Sequence, residues 1–198
     1  MTHMTHAHFQ RSGTWLIPFF FLVSGISVGV FTELSLPADS RAQVGAYLVE
    51  HLFADNASPD HSAVLLQSAG NNLGLLLLIF LSGLTAIGFP VAYAAVAYKG
   101  AALGFSAALL LDFLQLKGLA TLVLTVLPPN LLILPALFLG VAAAGANVAD
   151  ARSGTRRKKS LAQEAGPYCT CFVPPLLLAA IAALIDAFIC PALLQLIK

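Results

Sequence analysis

Long uncharged runs, broken by short polar punctuation, dominate this chain, and their lengths set the architecture. They predict helices over Thr14 to Phe31, Leu73 to Tyr98, Ala101 to Leu116, Leu119 to Ala149 and Phe172 to Ile197. The expected fold is a single all-α membrane domain over residues 1–198, a polytopic helical bundle with five transmembrane segments. Lys99-Gly100 and Lys117-Gly118 bracket the third run. Each pairs a snorkelling cation with a residue that tolerates sharp reversal, so tight hairpins are expected there. Two full crossings and a re-entrant hairpin over Ala101 to Leu127 give the same parity, and charge does not separate them.

The fourth run cannot be one straight rod within a bilayer. From Gly118 to Ala149 an α-helix would reach about 48 Å, against a hydrocarbon core of about 30 Å. Leu127-Pro128-Pro129-Asn130 lies inside it, with Pro135 beyond. Two consecutive prolines remove two donors and crowd the preceding turn, so carbonyls near Val123 to Thr125 lose helical partners where no water replaces them. A proline-broken fourth helix is therefore predicted, held by neighbours. Pro90 predicts a kink in the second helix, and Gly25, Gly29, Gly83, Gly88 and Gly104 offer close helix approach.

Composition agrees with a membrane protein: 59% of residues are hydrophobic and 10% charged, against about a quarter charged in soluble chains. A net charge of +1 gives no bias toward nucleic acid. Local charge says more. Arg152, Arg156, Arg157, Lys158 and Lys159 mark residues 150–168 as a basic cytoplasmic loop, which also suits anionic membrane lipid. Counting crossings back from it puts the tail 1–13 inside, the loop 32–72 outside and the C-terminus outside. Within the outer loop Val44, Tyr47, Leu48 and Leu52 recur at helical spacing behind Asp39 and Ser40, both suitable N-caps, so an amphipathic surface helix is expected. Glu33, Glu50, Asp55 and Asp60 there read as solvated charges. Cys169, Cys171 and Cys190 read as free thiols, and the histidines as too scattered for a metal site.

Asp112 and Asp186 stand out as carboxylates within the predicted spans, where each costs a few kcal/mol or more. Asp112 lies one turn from the Lys117 end of its segment and is placed to reach the interface or to pair with that lysine. Asp186 sits near mid-helix, where it and the Asn130 amide are candidates to hold the groups freed by the proline break. No catalytic, cofactor or metal motif is present, so an enzyme is not expected. Broken helices with a buried carboxylate also build transporter sites, which makes a small-molecule or ion transporter the alternative; no internal repeat supporting it is evident in the sequence.

The combination Lys99-Gly100-Ala101-Ala102-Leu103-Gly104-Phe105, then Lys117-Gly118, then Leu127-Pro128-Pro129-Asn130 with Pro135, resembles the stage II sporulation protein M family. Asp186 with Pro191 is similar to the family's last helix. Pro129 stands where the family carries glutamine, and Asp186 where it carries glutamate. The resemblance implies a non-enzymatic membrane scaffold of endospore formation, acting in engulfment of the forespore. It also implies partnership with stage II sporulation proteins D and P, which degrade peptidoglycan.

Overall fold

A computed structural model describes residues 13–53, 61–85, 88–152 and 161–195. The regular elements among them are all helical: α1 (Gly13–Leu34), α2 (Ala38–Phe53), α3 (His61–Leu84), α4 (Phe89–Thr121), α5 (Leu127–Arg152), α6 (Leu161–Leu184) and α7 (Cys190–Leu194). Two π-helical segments, Leu122–Val126 and Ile185–Ile189, join α4 to α5 and α6 to α7. The histidines of the tail, most of the basic loop, and Asp55 and Asp60 lie outside the described residues.

Among the described residues four apolar helical stretches are long enough to cross a bilayer: Trp15–Leu34, His61–Leu84, Pro90–Asp150 and Gly166–Leu194. The third has 61 residues and would extend about 90 Å as a straight rod, three times the hydrocarbon thickness. It folds back on itself instead. Gln115 adopts φ 49° and ψ −118°, a conformation favoured by glycine, and Leu116 at the tip is 84% exposed. Directly after the reversal, Gly118 seats its Cα against the Leu110 carbonyl, leaving no room for a Cβ. The stretch is thus divided at Gln115 into two helical arms.

The predicted hairpin at Lys117-Gly118 therefore lies within two residues of the observed reversal. The hairpin at Lys99-Gly100 is corrected: both residues are mid-helix in α4. The preceding boundary is at 85–88, where Gly88 packs on the Ser82 carbonyl and Pro90 opens α4 at a position that needs no amide donor. Pro90 starts a helix and does not kink one. Likewise α3 begins at His61, well before Leu73, because the polar residues Gln67, Ser68, Asn71 and Asn72 are helical and line an internal cavity.

Gly100 and Gly104 do not turn the chain; they bring two helices together. A Cβ on Gly25 or Gly29 would strike the carbonyls of Ala97 or Ala101, and one on Gly100 or Gly104 the carbonyls of Leu22 or Ile26. Four glycines thus interlock α1 and α4 backbone to backbone, the small-residue packing that membrane helices use when no hydrophobic force separates lipid from protein. The core lies between α3, α4, α5 and α6. Leu76, Ile79, Val96, Ile133 and Leu137 are fully buried there, and Phe80, Tyr168 and Phe172 close one end as a ring cluster whose Tyr168 hydroxyl donates to Phe80 O at 2.8 Å.

Helix α2 is where predicted, but Asp39 and Ser40 lie in its first turn and do not cap it. Its inward face also differs from the apolar spacing. Arg41 and Gly45 point in, Gly45 against the Phe113 ring, while Val44 and Tyr47 are exposed. Polar bonding decides this. Arg41 Nε donates to Glu33 Oε1 at 2.7 Å, its Nη2 to Glu33 Oε2 at 3.1 Å, and Nε lies 3.2 Å from Asp112 Oδ2. Glu33, read as solvated, is 1% exposed, and Asp112 pairs with Arg41 in place of Lys117. The bond to Glu33 raises the Arg41 pKa above its ordinary value, so the clamp keeps its cation throughout the working pH range.

Candidate functional site

The prolines widen their helices and do not sever them. At Leu122–Val126 the ladder lengthens by one residue, so that Leu127 N–H donates to Leu122 O. At Ile185–Ile189 Cys190 N–H donates in the same way to Ile185 O. The break predicted at Pro128 is therefore corrected to a π turn, which relieves the clash between proline rings and the preceding turn while keeping the backbone helical. Thr121 and Thr125 prepare the distortion. Their hydroxyls donate back to Lys117 O and Thr121 O at 2.9 and 2.8 Å, a pattern that bends helices.

The carbonyls left over find partners on adjoining helices. In α-register Pro129 would serve Thr125 O and Pro191 would serve Ala187 O, but neither has a donor. Cys190 Sγ donates to Thr125 O at 3.1 Å. His61 Nδ1 lies 2.7 Å from Ala187 O, and since a carbonyl only accepts, that nitrogen carries the proton. The His61 ring stacks on Phe188 with centroids 5.3 Å apart, which fixes its plane. Asn130 Nδ2 donates to Val126 O at 2.6 Å. Asp186, paired with Asn130 in the sequence reading, makes no such bond; Cys190 and His61 take that part. Each contacts its carbonyl across a long separation, 65 and 126 residues, so local sequence carries no sign of it.

Between the two π turns lies a cavity of about 600 Å³. Pro129, Asn130, Asp186 and Pro191 form its wall from the widened helices, and Gln67, Asn71, Asn72 and Lys99 close it from α3 and α4. Lys99 Nζ donates to Asn72 Oδ1 at 3.1 Å, and Asn72, 4% exposed, hands its own amide to Ser68 Oγ at 3.4 Å. Lys99 thus lies well inside an apolar helical stretch, where the sequence places it at a span end. Both close ion pairs among the described residues are made by Arg41, so Lys99 and Asp186 line the cavity without an ion-pair contact. Asn130 Oδ1 is buried in the wall and has no hydrogen-bond partner. The remaining motif residues lie elsewhere: Gly100 and Gly104 of α4 packed against α1, Gly118 in the hairpin, Lys117 exposed, Leu127 and Pro135 on the outward face, and Pro128 half-buried beside the π turn.

Among the described residues no group of three or more metal-ligating side chains occurs. Cys169 and Cys171 are exposed free thiols and Cys190 a buried one.

The stage II sporulation protein M family matches the chain over residues 18–191, and the chain belongs to that family. With its apolar helices this makes it a membrane protein of a sporulation family that is not a known enzyme family. No curated protein and no solved structure matches the chain.

Proposed function

We propose that the chain is a non-enzymatic membrane scaffold of forespore engulfment. It crosses the bilayer five times, with the N-terminus and basic loop cytoplasmic and α2, the Gln115 tip and the C-terminus outside. The observation that carries the reading is the family match over 18–191, which takes in most of the first and last apolar helices and everything between them, α2 included. Two features support a static framework: the glycine interlock of α1 with α4, and the Arg41 clamp that fixes α2 at the outer end. Stage II sporulation proteins D and P act on the cell wall, on the side to which α2 is assigned, and they are the proposed cargo. Co-purification of a tagged copy with those proteins, with and without residues 35–60, tests this. Association that weakens on removal of the segment is expected; no association in either form removes the proposal.

A transport role stands as a second reading because of one observation absent from the sequence: the two π turns, each followed by proline, form a pair across a polar cavity. Paired interrupted helices around a midplane site are how secondary transporters bind substrate. Solute flux into proteoliposomes that disappears in Asp186→Asn would favour it over the scaffold.

A further inference from the structure

Two opposite charges held apart over an open space inside an apolar bundle need an explanation. In contact they would neutralise each other and repay part of the cost of leaving water. Lys99 and Asp186 instead line one cavity without an ion-pair contact, and only Lys99 has a direct polar partner, the Asn72 amide oxygen. An ammonium has three donors, of which this bond uses one. Asp186 contributes acceptors, and so does the neighbouring Asn130. The orientation of that amide is fixed: reversing it would set Oδ1 against the Val126 carbonyl at 2.6 Å, so the atom left unpartnered is the oxygen. One wall therefore lacks donors and the other retains them.

We propose that the cavity binds a small zwitterion, whose ammonium group sits at Asp186 beside Asn130 and whose anionic oxygens sit at Lys99. A lone cation would leave Lys99 uncompensated, and a lone anion would leave Asp186 so. A molecule carrying both charges satisfies the two walls at once and brings no net charge into the bundle. The size suits it: about 600 Å³ falls within the range of small-molecule sites, about 300–1,000 Å³. The π turns supply the room, since widening by one residue draws each helix away from close packing. Two sources offer this chemistry, a free amino-acid-like solute and the ethanolamine phosphate headgroup of a phospholipid. The inference gives a ligand class to the cavity of the transport reading but concerns occupancy alone, so binding without flux leaves it standing while removing transport.

The test uses the full chain in nanodiscs of phosphatidylglycerol, titrated calorimetrically with glycine, with glycerophosphoethanolamine, and with the half-molecules ethylammonium and acetate. At least one zwitterion is expected to bind at least ten-fold more tightly than either half. Glycine alone marks a free solute. Glycerophosphoethanolamine, together with phosphatidylethanolamine retained over phosphatidylcholine in native mass spectrometry of doped nanodiscs, marks a headgroup. Asp186→Asn and Lys99→Met should each weaken the bound probe at least ten-fold, with thermal unfolding confirming that the variants are folded. The proposal is overturned if neither zwitterion saturates the wild-type chain, if a half-molecule binds equally well, or if folded variants bind unchanged. The wild-type comparison decides by itself should a variant fail to fold.

Discussion

Alanine at Gly29 or Gly104 should destabilise the protein, whereas alanine at Gly70 or Gly74 should not. A Cβ at Gly29 falls on the Ala101 carbonyl oxygen and within 2.7 Å of the Phe105 nitrogen; one at Gly104 falls on the Ile26 oxygen and within 2.9 Å of its carbonyl carbon. These obstacles are backbone, so no side chain can swing aside, and optimum non-bonded separations are about 3.5–4.0 Å. Relief requires α1 and α4 to part by about 1 Å, which loosens the contact along its length. Overpacking of this kind costs about 1–3 kcal/mol, and the better helix propensity of alanine returns about 1 kcal/mol. The net expectation is a loss of up to about 2 kcal/mol per site. Gly70 and Gly74 lie in α3 with nothing within 4 Å of the added carbon, so only the propensity gain remains and stability should rise by up to about 1 kcal/mol. Reversible unfolding in mixed micelles, or steric trapping in bicelles, measures all four variants on one scale. Equal effects in the two pairs, or a stabilised Gly104→Ala, would refute the interlock.

Further outcomes follow from the polar contacts and the reversal. His61→Phe keeps the stack on Phe188 but withdraws the donor from Ala187 O, and should cost about 1–2 kcal/mol with faster amide exchange confined to Ile185–Ile189; unchanged exchange there would contradict the assignment. Arg41→Met should release α2, seen as increased outer-face proteolysis and a lower Tm, because Glu33 is left buried without its partner. A further Glu33→Gln change should recover part of the loss. Gln115→Gly should stabilise the hairpin by about 1 kcal/mol by removing a strained positive φ, and a lower unfolding midpoint would refute this. In a background lacking Cys169, Cys171 and Cys190, Leu116→Cys should react with an impermeant thiol reagent added outside; labelling only from the cytoplasmic face would invert the proposed orientation.

Much of the bundle was legible from hydropathy because lipid imposes run length directly on the sequence. The departures share one cause: hydropathy places polar residues at ends and in loops, whereas this bundle gathers several of them around a cavity. Lys99 read as a snorkelling end cation because its compensation, Asn72 and the cavity, comes from another helix. Gln67 to Asn72 read as loop for the same reason, which moved a helix boundary by more than three turns. The proline problem at Pro128 was visible, and so was the need for neighbouring partners; their identity was not. A histidine and a cysteine close to prolines carry no local signature of donating to a carbonyl on a distant segment. On α2 the spacing of Val44, Tyr47 and Leu48 gave the helix correctly, but a single arginine salt link outweighed that apolar stripe in choosing which face turns inward.

Each π turn also resets angular phase. Wound as plain α-helix, one extra residue would advance everything downstream by about 100° around the axis, and the π turn takes that residue up. Were Leu122–Val126 ordinary α-helix with the same residues, Asn130 and Ile133 would rotate off the wall they now occupy. Deleting one residue between Leu122 and Val126 should thus let the turn close as α-helix with that wall kept, whereas inserting one should turn the downstream residues away from it. The widened turns are the gearing that lets two proline-bearing helices present matching faces to one another.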